Sequence, residues 1–214
     1  MPDSKRKDAS QKPPFLEVLR RDKRAVILTA LLRTGQQTPF YIFTTYVLTY
    51  ATQALGFGRT IVLNFVMIQS LISMGTIPLC GHLSDGFGRR RITTIGCLVM
   101  MAFPFVYFSL LDTKVIAFVF LAIALGLPLH DLQYGPQAAF ISESFAGSRR
   151  YSGSSLGYRL ASITAGGPAP LIAVWLYRTY GTSTAVATYV AVTALVSLIC
   201  VMLLKDRTGH LDGD

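Results

Sequence analysis

The sequence predicts an all-α integral membrane protein of six transmembrane helices, and three observations predict it. Charged residues make up 14% of the chain and apolar residues 51%, whereas a soluble domain carries about 25% charge. Long apolar runs recur along the chain, each near the ~20 residues a helix needs to cross a bilayer. Lys and Arg fall mainly in the gaps between those runs. A β-barrel is disfavoured, because the runs are continuous and do not alternate strictly.

The spans are read, in order, as 26–51, 61–81, 92–111, 115–142, 152–176 and 183–204. Gly56 and Gly58 lie in the first gap, Ser84 to Arg91 form the second and Asp112 to Lys114 the third. Ala146 to Arg150 mark the fourth gap, and Tyr180 and Gly181 the fifth. Residues 1–24 read as a polar cytoplasmic tail ending in a surface helix from Phe15 to Arg24. Residues 25–205 form the bundle, and 206–214 a second cytoplasmic tail. The hydrophilic start and the length of the first apolar run argue against a cleavable signal.

The net charge is +9, which invites a nucleic-acid reading. The distribution argues against it, because eight of the 20 Lys and Arg residues crowd into the first 24 positions. A basic segment beside a membrane is drawn to anionic lipid. With six spans, both termini share one side. That side holds 15 of the Lys and Arg residues and the other side holds 3. The positive-inside bias then makes both termini cytoplasmic, in the cell (inner) membrane. Cys80, Cys97 and Cys200 lie in or beside apolar runs without metal-ligand spacing and read as packing residues. Neither a cofactor nor a metal is implied, and no nucleophile motif or phosphate loop points to an enzyme.

Ionisable residues inside spans are costly and mark function by default. Arg33, Asp131 and Arg159 are the ones that stand out. At a rise of 1.5 Å per residue, Arg33 and Arg159 lie roughly 10 Å from the cytoplasmic end of their spans and Asp131 roughly 16 Å. Those depths predict that Asp131 pairs with Arg33 or Arg159, since an unpaired charge there is expensive. An organic anion suits either arginine, and a buried acid suits proton uptake and release. His130 precedes Asp131, and adjacent helical positions point about 100° apart, so a simple acid–base dyad is not expected. Gln133, Tyr134 and Gln137 share one helix face and are candidates for cavity hydrogen bonds. Glu143, near Arg149 and Arg150, reads as a gate or loop ion pair. Pro39, Pro128, Pro136, Pro168, Pro170, Gly166 and Gly167 fall inside spans, where they bend or break helices.

The second cytoplasmic gap reads GHLSDGFGRRR, from Gly81 through Asp85, Gly88, Arg89 and Arg90 to Arg91. Gly81 permits close helix approach, Gly88 a tight turn, and Asp85 is placed to accept from a helix N-terminus. The run resembles the loop signature of the major facilitator superfamily, with Gly86 where the family usually has Arg. Residues 134–171, YGPQAAFISESFAGSRRYSGSSLGYRLASITAGGPAPL, resemble the tenth and eleventh helices of its metabolite:proton symporters. Residues 39–52, PFYIFTTYVLTYAT, resemble the seventh. The resemblance therefore covers the second half of a twelve-helix carrier, and implies the C-terminal bundle of a major facilitator fold. It implies that Arg33 and Asp131 face the central cavity. Gln36 stands where the family often has a glutamate, so that position holds no proton.

The expected function is secondary transport of a small organic acid or zwitterion, coupled to protons by alternating access. The expected partners are the bilayer, the substrate, protons, and a second six-helix half or a second copy. The alternatives are a membrane binding or scaffold module without transport, and an inactive fragment of a carrier.

Overall fold

The computed structural model describes residues 22–145, 150–162 and 166–204 of the chain. Helix α1 runs over Lys23–Tyr41, passes through a π-helical segment at Ile42–Tyr46, and continues as α2 at Val47–Gln53. Then follow α3 (Arg59–Phe87), α4 (Arg89–Asp112), α5 (Ile116–Glu143), α6 (Arg150–Ala161), α7 (Pro168–Tyr180) and α8 (Ser183–Leu203). Of these, α3, α4, α5 and α8 are each long and apolar enough, by length and composition, to cross a membrane alone. The first span is assembled from α1, the π segment and α2, and the fifth from α6 and α7. All six expected spans thus have helical counterparts. Of the terminal segments, residues 1–21 and 205–214 lie outside the described residues. The end of the expected surface helix, Lys23 and Arg24, is continuous with α1.

The interruptions have local causes. Pro39 has no N–H to give its helix, and just beyond it the ladder lengthens, so that Val47 N–H bonds to the Ile42 carbonyl, five residues back. Gln69 of α3 donates from Nε2 to the Phe43 carbonyl at 2.9 Å. This meets the need of a backbone group in a stretch where helical bonding is irregular. In the fifth span α6 ends at Ala161, and α7 restarts at Pro168 with proline in its first turn, where a missing N–H costs nothing. Pro128 and Pro136 sit within α5, which stays one helix.

One expected boundary is corrected. The second gap, Ser84 to Arg91, is helical except at Gly88. Gly88 has φ 94° and joins α3 directly to α4, a conformation that only glycine adopts without strain. The 29 residues of α3 make about 43 Å of helix, longer than the ~30 Å hydrocarbon core. Its end therefore projects beyond the core and carries the loop signature with it.

Helix α5 packs against both α3 and α4, α8 against α1 and α4, and α6 against α1. Between lipid-embedded helices the hydrophobic effect supplies little, so close packing of small residues matters most. Gly135 of α5 shows this: a Cβ there would lie 2.8 Å from Cys80 Cβ and 2.9 Å from the Gly81 amide nitrogen. The close approach anticipated at Gly81 is thus imposed by its neighbour on α5. Toward the far end of the bundle, Phe43, Tyr46, Tyr50, Phe103, Tyr107 and Phe108 fill an aromatic core, with ring centroids such as Phe43–Tyr107 at 4.5 Å. A second apolar cluster, including Leu32, Phe140, Ile141, Phe145 and Val201, closes the loop-signature end.

Candidate functional site

Helices α1, α3 and α5 enclose a cavity of about 260 Å³ whose lining includes Arg33, Gln36, Ser73, His130, Asp131 and Tyr134. Asp131 is 1% exposed, a buried carboxylate in a membrane-spanning helix. The pairing expected from depth is not what holds it. Ser73 Oγ donates to Asp131 Oδ2 at 2.6 Å, and the Thr76 hydroxyl donates to the same oxygen. Residues 73 and 76 share one face of α3. The close α3–α5 contact brings these short hydroxyls to the acid before a long arginine on α1 reaches it. Among the described residues Asp131 has no Lys or Arg partner; His130 Nδ1 lies 3.4 Å from Oδ1 without a hydrogen bond.

Arg33 lines the same cavity from α1. Its Nη1 donates to Gln137 Oε1 at 3.0 Å, and its guanidinium lies 3.7 Å from the centre of the Tyr158 ring on α6. A hydrogen bond and a cation–π contact fix the group, and its Nε remains without a hydrogen bond. Arg159, the other expected partner, is exposed on α6 and is not among the residues that line this cavity.

Gln36 of α1 and His130 of α5 also line the cavity and contact one another. His130 Nε2 lies 2.8 Å from Gln36 Nε2 and 3.2 Å from the Gln36 carbonyl oxygen. Tyr134 lines the cavity, with its ring 6.0 Å from the His130 ring. Of the three residues expected on one face, Gln137 reaches Arg33 and Tyr134 lines the cavity. Gln133 turns instead toward α4, where it meets Gly96. Ser73, Thr76 and Tyr158 were not singled out in the sequence. The 73/76 spacing of hydroxyls inside an apolar run was the signal available for the first two.

At the loop-signature end, Arg89 bonds to Asp85 at 3.0 Å and also pairs with Glu143 at the end of α5. Asp85 accepts from a side chain on the next turn, not from a helix N-terminus. Arg90 donates from Nη2 to the Met202 carbonyl of α8 at 2.9 Å. The signature thus ties the α3–α4 junction to the ends of α5 and α8. Arg149 lies outside the described residues, and Arg150 opens α6. Glu143 meets Arg89, a partner the sequence reading did not assign to it.

The opposite end has its own polar tie. Tyr50 donates its hydroxyl to Asp112 Oδ1, and Ser183 Oγ donates to Asp112 Oδ2 at 2.6 Å. Asp112 had read only as a loop residue. It in fact joins α2, α4 and α8.

Comparison with known proteins agrees with this architecture. The family profile described as Major Facilitator Superfamily matches residues 2–168. A shikimate transporter of Escherichia coli is 35% identical over 201 residues, 92% of this chain and 46% of that protein. An inner membrane metabolite transport protein of Escherichia coli, YhjE, is 36% identical over 205 residues, 93% of this chain and 46% of that protein. A proline/betaine transporter of Escherichia coli is 24% identical over 202 residues, 93% of this chain and 40% of that protein. The chain spans about half the length of the curated relatives it matches. No solved structure matches it significantly. The chain is a multi-pass membrane protein and belongs to the Major Facilitator Superfamily.

Proposed function

We propose that the chain forms half of a secondary transporter that moves a small carboxylate-bearing metabolite, an organic acid or a zwitterion, by alternating access coupled to protons. The observation that carries this reading is one cavity lined by both Arg33 and the buried Asp131. Arg33 offers a cation that no carboxylate of the described residues occupies, so a substrate carboxylate fits there. Asp131 offers the proton site, and Gln36 orients His130 beside it. The names of the relatives support the substrate class, since shikimate, proline and betaine all bear a carboxylate.

Alternating access in such carriers works between two bundles that rock about a central site. The second bundle is a separate six-helix half or a second copy. It covers the face of α3 on which Met67, Leu71 and Met74 are 63%, 65% and 73% exposed. In this reading 1–24 and 206–214 are cytoplasmic tails flanking the bundle at 25–205. The Arg89–Glu143 pair then acts as a gate at the cytoplasmic end.

The test is uptake into proteoliposomes under an imposed pH gradient, with shikimate, proline and betaine as trial substrates. Gradient-driven accumulation that vanishes in Asp131→Asn supports the reading. Accumulation unaffected by that substitution overturns the proton role. Absence of uptake and exchange from folded protein, alone or with a second half supplied, overturns transport and favours a binding module.

A further inference from the structure

A second pocket, of about 190 Å³, lies at the end of the bundle away from the loop signature, between α2 with its π-helical lead-in and α7. Its lining includes Tyr46, Tyr50, Gln53, Tyr177 and Arg178. Two features show polar capacity that the protein leaves unused. Tyr46 is 2% exposed, and its hydroxyl is buried without a hydrogen-bond partner, a state that buried hydroxyls rarely tolerate. Arg178 stands exposed at the pocket rim, in the last turn of α7, with no ion pair among the described residues to occupy it.

The rings are held in place. Tyr46 stacks on Tyr50 at 5.8 Å, and Tyr177 meets Tyr50 edge-on at 5.1 Å. Tyr50 is fixed by its bond to Asp112, and both Asp112 oxygens are engaged, by Tyr50 and Ser183. The acid therefore serves to hold the wall, and no acidic residue lines the pocket. The lining thus offers an arginine fork, a spare phenolic O–H and the Gln53 amide against aromatic surface. That set suits a carboxylate attached to a small, partly apolar body. The volume is below that of drug-sized sites and suits a molecule of metabolite size.

We propose that this pocket is a second binding site for a small carboxylate, an outer stopping point distinct from the Arg33–Asp131 cavity. Arg178 holds the carboxylate and the Tyr46 hydroxyl donates to it. The binding claim stands on the pocket alone; its place on a transport route rests on the proposed function.

The test is photolabelling of the purified full chain in nanodiscs with 4-azidobenzoate, the adducts being located by peptide mass spectrometry. The expected adducts fall on α2 or α7. They are displaced by benzoate and not by the neutral benzamide, and drop at least about fivefold in Arg178→Gln. Tyr46→Phe keeps the ring and lowers labelling of α2 and α7 about threefold, while Gly86→Ala, at a position that lines neither pocket, leaves it unchanged. Both Arg178→Gln and a second variant, Gln53→Ala, alter the pocket rim and spare the aromatic core. Labelling confined to α1, α3 and α5, displacement by benzamide as readily as by benzoate, or full labelling in Arg178→Gln overturns the site. Labelling as expected in a chain that shows neither uptake nor exchange, alone and with a second half supplied, overturns the transport reading and leaves this site standing.

Discussion

His130 and Asp131 are neighbours in sequence, yet their side chains turn toward one another, with Nδ1 of the imidazole 3.4 Å from Oδ1 of the carboxylate. Backbone geometry alone sets successive residues about 100° apart. Rotation about the side-chain bonds removes much of that separation when both groups are buried and have few alternatives. The Gln36 contacts match two states of the ring. A neutral ring accepts at Nε2 from the Gln36 amide and carries its proton on Nδ1, toward Asp131. A protonated ring donates from Nε2 to the Gln36 carbonyl and from Nδ1 toward the carboxylate. Nδ1 faces the carboxylate without a hydrogen bond, so the two do not form a simple acid–base dyad; in the proposed carrier Asp131, His130 and Gln36 together are the candidate proton site.

This makes a graded prediction. Asp131→Asn abolishes gradient-driven accumulation while counterflow exchange of substrate persists, because the binding wall at Arg33 is untouched. His130→Gln retains accumulation at about a tenth of the normal rate, with an altered pH profile. Gln36→Leu gives a milder loss of the same kind, and Gln36→Glu sharpens the pH dependence. Measuring accumulation and counterflow side by side over a range of pH separates coupling from binding. Loss of both activities together in His130→Gln would mean that the ring supports the cavity rather than the proton.

Arg33 makes a separable prediction, because its guanidinium is held by a flat ring and an amide. Tyr158→Phe preserves the ring and leaves substrate affinity within about twofold. Tyr158→Leu removes a cation–π contact worth about 0.5–2 kcal/mol, and KM rises about twofold to thirtyfold with little change in kcat. Arg33→Lys keeps the charge but cannot present the same fork, so it resembles Tyr158→Leu more than wild type. Radiolabelled uptake kinetics distinguish these cases.

The spans were readable because lipid imposes a simple length and composition rule on each. The loop signature was readable as sequence, although Gly88 alone breaks the helix there. The site was readable only in part. Arg33 and Asp131 announce themselves as charges in apolar runs, and Gln137 by its place on the face of α5. Their partners do not, because Ser73, Thr76 and Tyr158 are ordinary components of membrane helices. Depth along a helix says how far a group lies from the surface but not which way it points. That is why the Asp131–arginine pair was expected and a hydroxyl pair was found. Asp112 was hidden by its position at the end of a span, where an acid looks like any loop residue.

The Arg89–Glu143 pair tests the loop end. Both partners are partly buried, with side chains 25% and 16% exposed. Their coupling is expected on the order of 1 kcal/mol, near the upper range for accessible pairs. A double-mutant cycle of Arg89→Gln and Glu143→Gln, read by thermal unfolding in detergent, should return that coupling. Asp85→Asn should cost less, since Asp85 is the more exposed partner at 61%. If the pair also gates the cytoplasmic end, Glu143→Gln raises the rate at which a membrane-impermeant thiol reagent reaches a cysteine placed at Gln137. An unchanged labelling rate would leave the pair a structural tie only.

Glycine positions give the last prediction, because the same substitution should have opposite results at two sites. A Cβ at Gly35 would fall inside the Thr193 carbonyl oxygen and the Ser197 hydroxyl of α8, and Ser197 itself donates to the Leu32 carbonyl at 2.6 Å. Backbone cannot yield as a flexible side chain can, so Gly35→Ala must push α1 off α8. Overpacking of this kind costs about 1–3 kcal/mol. It would also tilt the helix that carries Arg33 and Gln36, so uptake should fall together with thermal stability. Gly86 lies in the last turn of α3, and a Cβ there meets nothing within 4 Å. Gly86→Ala should leave uptake unchanged and add up to about 1 kcal/mol through helix propensity alone. Equal losses at both positions would show that the Gly35 effect reflects a general intolerance of the bundle, and not the α1–α8 contact.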